Sequence, residues 1–139
     1  MSLKDQDDKR KGLPSGQRSV ERILRWEKDH PTITGFVPKK DLANWALMID
    51  GEVERPLRLS WSDFLAYPKV KLIGDFHCVE GWSVLNCRWE GVSFKHIADL
   101  VRPREAAEFV SFECADGYSA SHSLEDLLGE EAFLAYRLD

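Results

Sequence analysis

The sequence has no apolar run approaching the roughly 20 residues a membrane helix needs. It has no G-x-G-x-x-G and no G-x-x-x-x-G-K segment, so neither common phosphate cradle is present. Cysteine is scarce: Cys78, Cys87 and Cys114 are three in number, with no C-x-x-C pair among them. An odd, unpaired set excludes a disulfide framework and the paired spacing of a zinc site, and it fits a reducing compartment. The C-x-x-C-H motif of attached haem is also missing. Positive charge is in deficit, with 19 Lys and Arg against 24 Asp and Glu for a net charge of −5. A mildly acidic chain lacks the electrostatic footprint of a nucleic-acid binder. No apolar segment follows Lys9-Arg10-Lys11, so no signal peptide is visible and a cytoplasmic location is expected.

What is present suffices for one core. The 139 residues are 43% hydrophobic and include five Trp and seven Phe, the size and composition of a single domain. Residues 1–18 are charged and almost without aliphatics, which predicts a flexible tail or an N-terminal arm laid over the surface. Over 19–29, Val20, Ile23, Leu24 and Glu27 share a helical face and predict a short helix.

Strand patterns start near Asn44. Trp45, Leu47 and Ile49 alternate with Ala46, Met48 and Asp50, Asp50-Gly51 signals a hairpin, and Val53 to Leu59 reads as the returning strand. Ser60-Trp61-Ser62-Asp63 reads as a capping box for a helix ending at Pro68. Val70 to Phe76 reads as a strand. Ser83 to Trp89 reads as the next, with Glu90-Gly91 as its turn. Ser93 is placed to cap a helix in which Phe94, Ile97, Ala98 and Val101 form one face, ended by Pro103. Phe109 to Cys114 predicts a strand, Asp116-Gly117 a turn, Leu124 to Leu128 a short helix and Ala132 to Leu138 a last strand. Strands and short helices without a βαβ rhythm predict an α+β fold of mixed sheets.

The densest chemistry lies in Phe76-His77-Cys78-Val79-Glu80-Gly81-Trp82-Ser83. A cysteine at a strand end can ligate a soft metal or attack an electrophile, although a free cysteine is equally a small buried hydrophobe. His77 and Cys78 are neighbours on a strand and face opposite ways, so they are a poor pair for one tetrahedral ion. A thiol dyad of Cys78 with His96 or His122 is another reading of the same cysteine. The bland reading makes His96 a partly exposed helix residue and His122 a surface residue. It makes Trp82 and Trp89 core or rim aromatics, and Cys87 and Cys114 buried structural thiols. A non-catalytic binding or structural domain is the runner-up to the metal reading, with the thiol dyad third.

An ordered set of segments then resembles the sulfite oxidase family of molybdopterin oxidoreductases, in particular its short stand-alone prokaryotic members. The set runs from Trp45-x-Leu-x-Ile-x-Gly51 and Val53-Glu54-x-Pro56-Leu57-x-Leu59-Ser60 through His77-Cys78-Val79-Glu80-Gly81-Trp82-Ser83 to Trp89-Glu90-Gly91-Val92. It continues with Asp116-Gly117-Tyr118, the Ser-Leu-Glu-Asp-Leu-Leu run at 123–128 and Leu134-Ala135-Tyr136-x-Leu138-Asp139. Leu13-Pro14-Ser15-Gly16-Gln17 is similar to the family's N-terminal arm. The resemblance implies a mononuclear molybdenum held by the dithiolene of a molybdopterin, with Cys78 as the one protein ligand. It implies that His77, Gly81, Trp82, Asp116 and Tyr118 lie along the cofactor. It implies a small-molecule oxo-transfer substrate and an external redox partner, with no haem, nucleic acid or membrane.

Two departures shape those expectations. Glu80-Gly81-Trp82-Ser83 stands where animal and plant members carry a basic pair after the cysteine, so a reductase role on sulfoxides is as consistent as sulfite oxidation. Thr32–Thr34 occupies a segment where short members usually have histidine or asparagine. The family's phosphate-binding residues would fall past Asp139. Residues 19–139 are therefore expected to be the N-terminal two thirds of the domain, C-terminally truncated, with an exposed edge that offers a homodimer contact.

Overall fold

The computed structural model describes residues 12–25, 28–29, 31–129 and 131–139. Its centre is β5, twelve residues from Trp82 to Ser93. β4 (Lys69–His77) runs antiparallel along one edge of β5, from Lys69 opposite Val92 to His77 opposite Ser83. The other edge is shared. β1 (Arg18–Ser19) pairs in parallel with Trp82 and Ser83, and β8 (Phe133–Leu138) pairs antiparallel with residues 89–93. Two antiparallel ribbons stand apart from this sheet: β2 (Ala46–Ile49) with β3 (Leu57–Ser60), and β6 (Phe109–Glu113) with β7 (Ser119–Ser123). The helices are short: α1 (Trp61–Ala66), α2 (Phe94–Val101) and α3 (Leu124–Leu127). The result is an α+β fold of mixed sheets and short helices, as the sequence predicts.

Local chemistry explains the helix starts. Ser60 accepts from the Asp63 amide while the Asp63 carboxylate accepts from the Ser60 amide, a complete capping box. Ser93 accepts from the His96 amide at the start of α2. That helix buries Phe94, Ile97, Ala98 and Val101, the predicted face, and ends at Arg102 in the left-handed region ahead of Pro103. Among the described residues no helix is long and apolar enough to cross a membrane.

Two clusters form the interior. Leu59, Phe64, Val92 and Ile97 are buried together under Trp45, Trp61, Leu134 and Tyr136. Trp82, Val84 and Cys87 form the second, covered by Val20, Ile23, Leu24, Phe76, Trp89 and Leu138. β5 supplies buried residues to both, Val92 to the first and Trp82 to the second, so one strand ties the two ends of the molecule together.

Four sequence expectations are corrected. Glu90-Gly91 is not a turn: β5 continues through it, because the glycine lets the β8 backbone approach where a side chain would not fit. The strand expected over Val53 to Leu59 is confined to Leu57–Ser60. The amides of Glu54 and Arg55 instead donate to the carbonyls of Arg102 and Val101, and Val53 bridges to Pro103. The helix expected over 19–29 is absent from the described part: Ser19 is in a strand and residues 20–25 are irregular, while Trp26 and Glu27 lie outside the described residues. Cys114 is exposed rather than buried, because β6 ends at Glu113 and Cys114 opens the turn to β7, where its amide donates to the Tyr118 carbonyl and its carbonyl accepts from the Gly117 amide.

Candidate functional site

The β4–β5 connection is a tight turn that begins at Cys78. The Cys78 amide donates to the Trp82 carbonyl at 2.9 Å, and the Gly81 amide donates back to the Cys78 carbonyl at 3.1 Å. Gly81 has φ of 90°, in the left-handed region that favours glycine, which is the bulged form of a three-residue hairpin loop. A β-carbon at Gly81 would also meet the Gly16 carbonyl at 3.2 Å. The requirement for glycine there is thus both conformational and steric. The Gly81 carbonyl in turn accepts from the Arg18 amide at 2.9 Å, which starts the β1 pairing.

The turn sorts its side chains by face. Cys78 is half-buried and lies with Phe76 against the Trp82 cluster. Val79, at the tip, is wholly exposed. His77 falls on the opposite face, where its Nδ1 lies 2.7 Å from the hydroxyl of fully buried Ser83. Ser83 donates to Gln17 Oε1 at 2.8 Å, and Gln17 Nε2 donates to the Cys78 carbonyl at 3.0 Å. That carbonyl therefore has both lone pairs engaged. Trp82 is buried, stacks on Phe76 with ring centroids 5.4 Å apart, and donates Nε1 to Glu80 Oε2 at 3.3 Å.

Of the residues singled out in the sequence, Cys78, His77, Gly81 and Trp82 share this corner. Asp116 and Tyr118 sit apart in the β6–β7 turn. There the Tyr118 amide donates to Asp116 Oδ1 at 2.9 Å and the Tyr118 carbonyl accepts from the Cys114 amide at 2.8 Å. Neither candidate histidine base joins Cys78. His96 lies on α2, edge-on to Tyr67 at 5.0 Å, and His122 packs on Phe112 at 5.9 Å. α2 follows the far end of β5, roughly 30 Å along the strand from the Cys78 turn. Cys87 is buried in the core, and burial raises its thiol pKa, with the Asp139 carboxylate adding to the rise. Two surface clefts do not include Cys78: one of about 540 Å³ is lined by Val20, Glu21, Arg22 and Leu24, and one of about 470 Å³ lies between residues 21–23, Arg25 and Lys28 on one side and Val84, Cys87, Leu138 and Asp139 on the other.

Gln17 and Ser83 are the residues that sequence reasoning missed as members of the site. Gln17 stood in a segment similar to the family's arm, but nothing in its spacing tied it to position 78. Ser83 carried no signal beyond its place after Gly81-Trp82.

The donor set fits a metal that brings most of its own ligands. Among the described residues no group of three or more His, Cys, Asp or Glu is placed to hold an ion. Cys78 is a single soft donor on a half-buried rim, the type of ligand suited to a metal already bound by sulfur.

The fold is that of the sulfite oxidase-type molybdopterin domains. A family model described as the oxidoreductase molybdopterin binding domain matches residues 34–139, and the chain belongs to that family. The chain is 38% identical over 104 residues to the uncharacterized oxidoreductase YuiH of Bacillus subtilis, covering 74% of this chain and 52% of that protein. It is 39% identical over 69 residues to the protein-methionine-sulfoxide reductase catalytic subunit MsrP of Campylobacter jejuni, covering 50% of this chain and 23% of that one. A putative protein-methionine-sulfoxide reductase subunit of Azospira oryzae, YedZ1, is 31% identical over 103 residues, 74% of this chain and 39% of its own. The chain thus spans about half the length of the Bacillus relative and less of the others. In fold it is similar to the sulfane dehydrogenase SoxCD of Paracoccus pantotrophus, with a TM-score of 0.64 at 18% identity over 73% of this chain and 31% of that one.

Proposed function

We propose that this chain carries the metal-binding corner of a molybdopterin-dependent oxidoreductase, with Cys78 as the one protein ligand to molybdenum. The observation that carries the reading is the placement of Cys78. It is the first residue of a turn held by backbone bonds on both sides, its side chain is neither sealed in the core nor loose on a tip, and among the described residues no group of three or more His, Cys, Asp or Glu forms a rival metal site. His77, Gly81 and Trp82 would border the cofactor from the same corner, and Asp116 and Tyr118 would reach it from the β6–β7 turn.

The cofactor, when bound, supplies oxygen-atom and electron transfer. The chain's own part is to hold one thiolate in a fixed direction, to back it with the apolar wall of Phe76 and Trp82, and to leave the exposed side open at Val79. The substrate class we favour is a sulfoxide. Its oxygen leaves as water while the sulfur becomes a thioether, which consumes two electrons and two protons, and the electrons come from an external redox partner. Glu80, not a cation, follows the ligand, so the turn itself provides no attraction for an anion such as sulfite. The sulfoxide activity named for two relatives supports the same choice.

The test is metal analysis of protein made in a host that supplies molybdopterin. We expect close to one molybdenum per chain, and its loss in Cys78→Ser with an unchanged circular dichroism spectrum. Stoichiometric molybdenum in Cys78→Ser would remove Cys78 from the role. Metal-free wild-type protein from such a host would favour a binding domain of the same fold.

A further inference from the structure

The hydrogen bonds around His77 leave only one arrangement of protons. The Cys78 carbonyl can only accept, so Gln17 must turn its amide NH₂ toward it. Gln17 Oε1 then faces Ser83 and can only accept, so the single Ser83 hydroxyl proton points to Gln17. The Ser83 oxygen is left as an acceptor toward His77, and His77 Nδ1 must carry a proton. In the neutral ring that leaves Nε2 with a lone pair and no proton.

We propose that Gln17 is a positioning residue, acting through Ser83 and the Cys78 carbonyl to lock His77 in the Nδ1–H form and to hold the turn that carries Cys78. The functional weight of that turn rests on the reading of Cys78 as metal ligand. His77 is exposed on the face of the turn opposite the Cys78 side chain, and its neutral ring presents Nε2 there as a hydrogen-bond acceptor. Because Ser83 is fully buried, solvent does not compete for the hydroxyl that sets this direction. The N-terminal arm, 61 positions away from the cysteine, is then part of the site rather than a covering over it.

The experiment is long-range proton–nitrogen NMR of the ¹⁵N-labelled full chain at alkaline pH, where an imidazole is neutral, with no cofactor required. In the wild type the His77 correlations should be those of the Nδ1–H tautomer. In Gln17→Met the Ser83 hydroxyl is freed to donate to Nδ1, and the correlations should change to the Nε2–H pattern. In the same variant alkylation of Cys78 by iodoacetamide should speed up about fivefold, the effect of one lost hydrogen bond on a local opening. An Nε2–H tautomer in the wild type overturns the proposal, and so does an Nδ1–H tautomer that persists in folded Gln17→Met. The wild-type measurement stands whether or not the variant folds. Molybdenum uptake with an Nε2–H tautomer would sink this inference and leave the metal function standing, while the Nδ1–H tautomer in a chain that takes no molybdenum would do the reverse.

Discussion

Gly91 and Leu134 are in backbone contact: a β-carbon placed on Gly91 would overlap the Leu134 carbonyl oxygen and come within 2.8 Å of the Phe133 ring. The contact lies where β5 and β8 slip register between Glu90 and Gly91. Neither a backbone oxygen nor a ring wedged behind it can move aside cheaply. Gly91→Ala is expected to cost about 3 kcal/mol of stability, at the upper end for overfilling a close-packed site. Urea unfolding of the two proteins side by side checks it, and a loss under about 0.5 kcal/mol, the range of an ordinary surface change, would contradict the contact.

Glu90 sits under three cations. Lys69 is 3.3 Å away, and Lys71 and Arg137 are each 3.7 Å away. Enclosure by itself pushes the carboxyl pKa up, but hydrogen bonding and charge from Lys69, then the charges of Arg137 and Lys71, pull it below the ordinary value. A depressed carboxylate stabilises the fold above its unfolded pKa of about 4.3 and loses that contribution as pH falls through the lower folded value. Glu90→Gln should therefore lower Tm at pH 7 and make little difference at the acid end. Equal effects at both pH values would show that the charge is not what matters.

The ring of Phe64 is 3% exposed and lies against Trp45, Trp61 and Tyr136, with centroid separations of 5.8, 6.3 and 5.9 Å. Phe64→Ala leaves a cavity that these aromatic neighbours are too rigid to fill, so a cost of about 3–5 kcal/mol is expected. Ser60→Ala, which removes only the cap of the same helix, should cost about 1 kcal/mol. The ratio of the two, read from chemical denaturation, checks whether burial or capping holds α1 in place.

The three cysteines differ in access, so their alkylation should follow a fixed order. Exposed Cys114 should react first and half-buried Cys78 second, with buried Cys87, its thiol pKa raised, reacting only on unfolding. Timed iodoacetamide labelling with peptide mass spectrometry reads the order directly. Early labelling of Cys87 would mean that the second cluster opens readily.

Periodicity was a good guide wherever an element covers one face of the core. The α2 face, the Ser60 capping box and β6 with its Asp116-Gly117 turn follow from local pattern, because side-chain period and cap chemistry act over a few residues, whereas β7, a Ser-Ala-Ser-His-Ser strand, carries no apolar alternation and is not anticipated by it. Gly91 misled for a physical reason: a glycine signals a turn or a close approach equally well, and only β8, more than forty residues later, decides between them. Cys114 misled because β6 ends one residue before it, so strand alternation no longer sets its direction. Within the candidate site, residues 76–83 announced themselves as a segment. Gln17 and Ser83 did not, since a hydrogen bond across 66 positions leaves no local trace.

The single edge of β5 that receives both β1 and β8 carries a kinetic cost. Its two partners come from segments more than a hundred residues apart, so neither pairing closes a short loop. The β4–β5 hairpin can zip locally, but Arg18 and Ser19 have nothing to add to until that hairpin exists. High contact order of this kind slows folding. It also makes the seating of Arg18 and Ser19 against the finished Cys78 turn a late step.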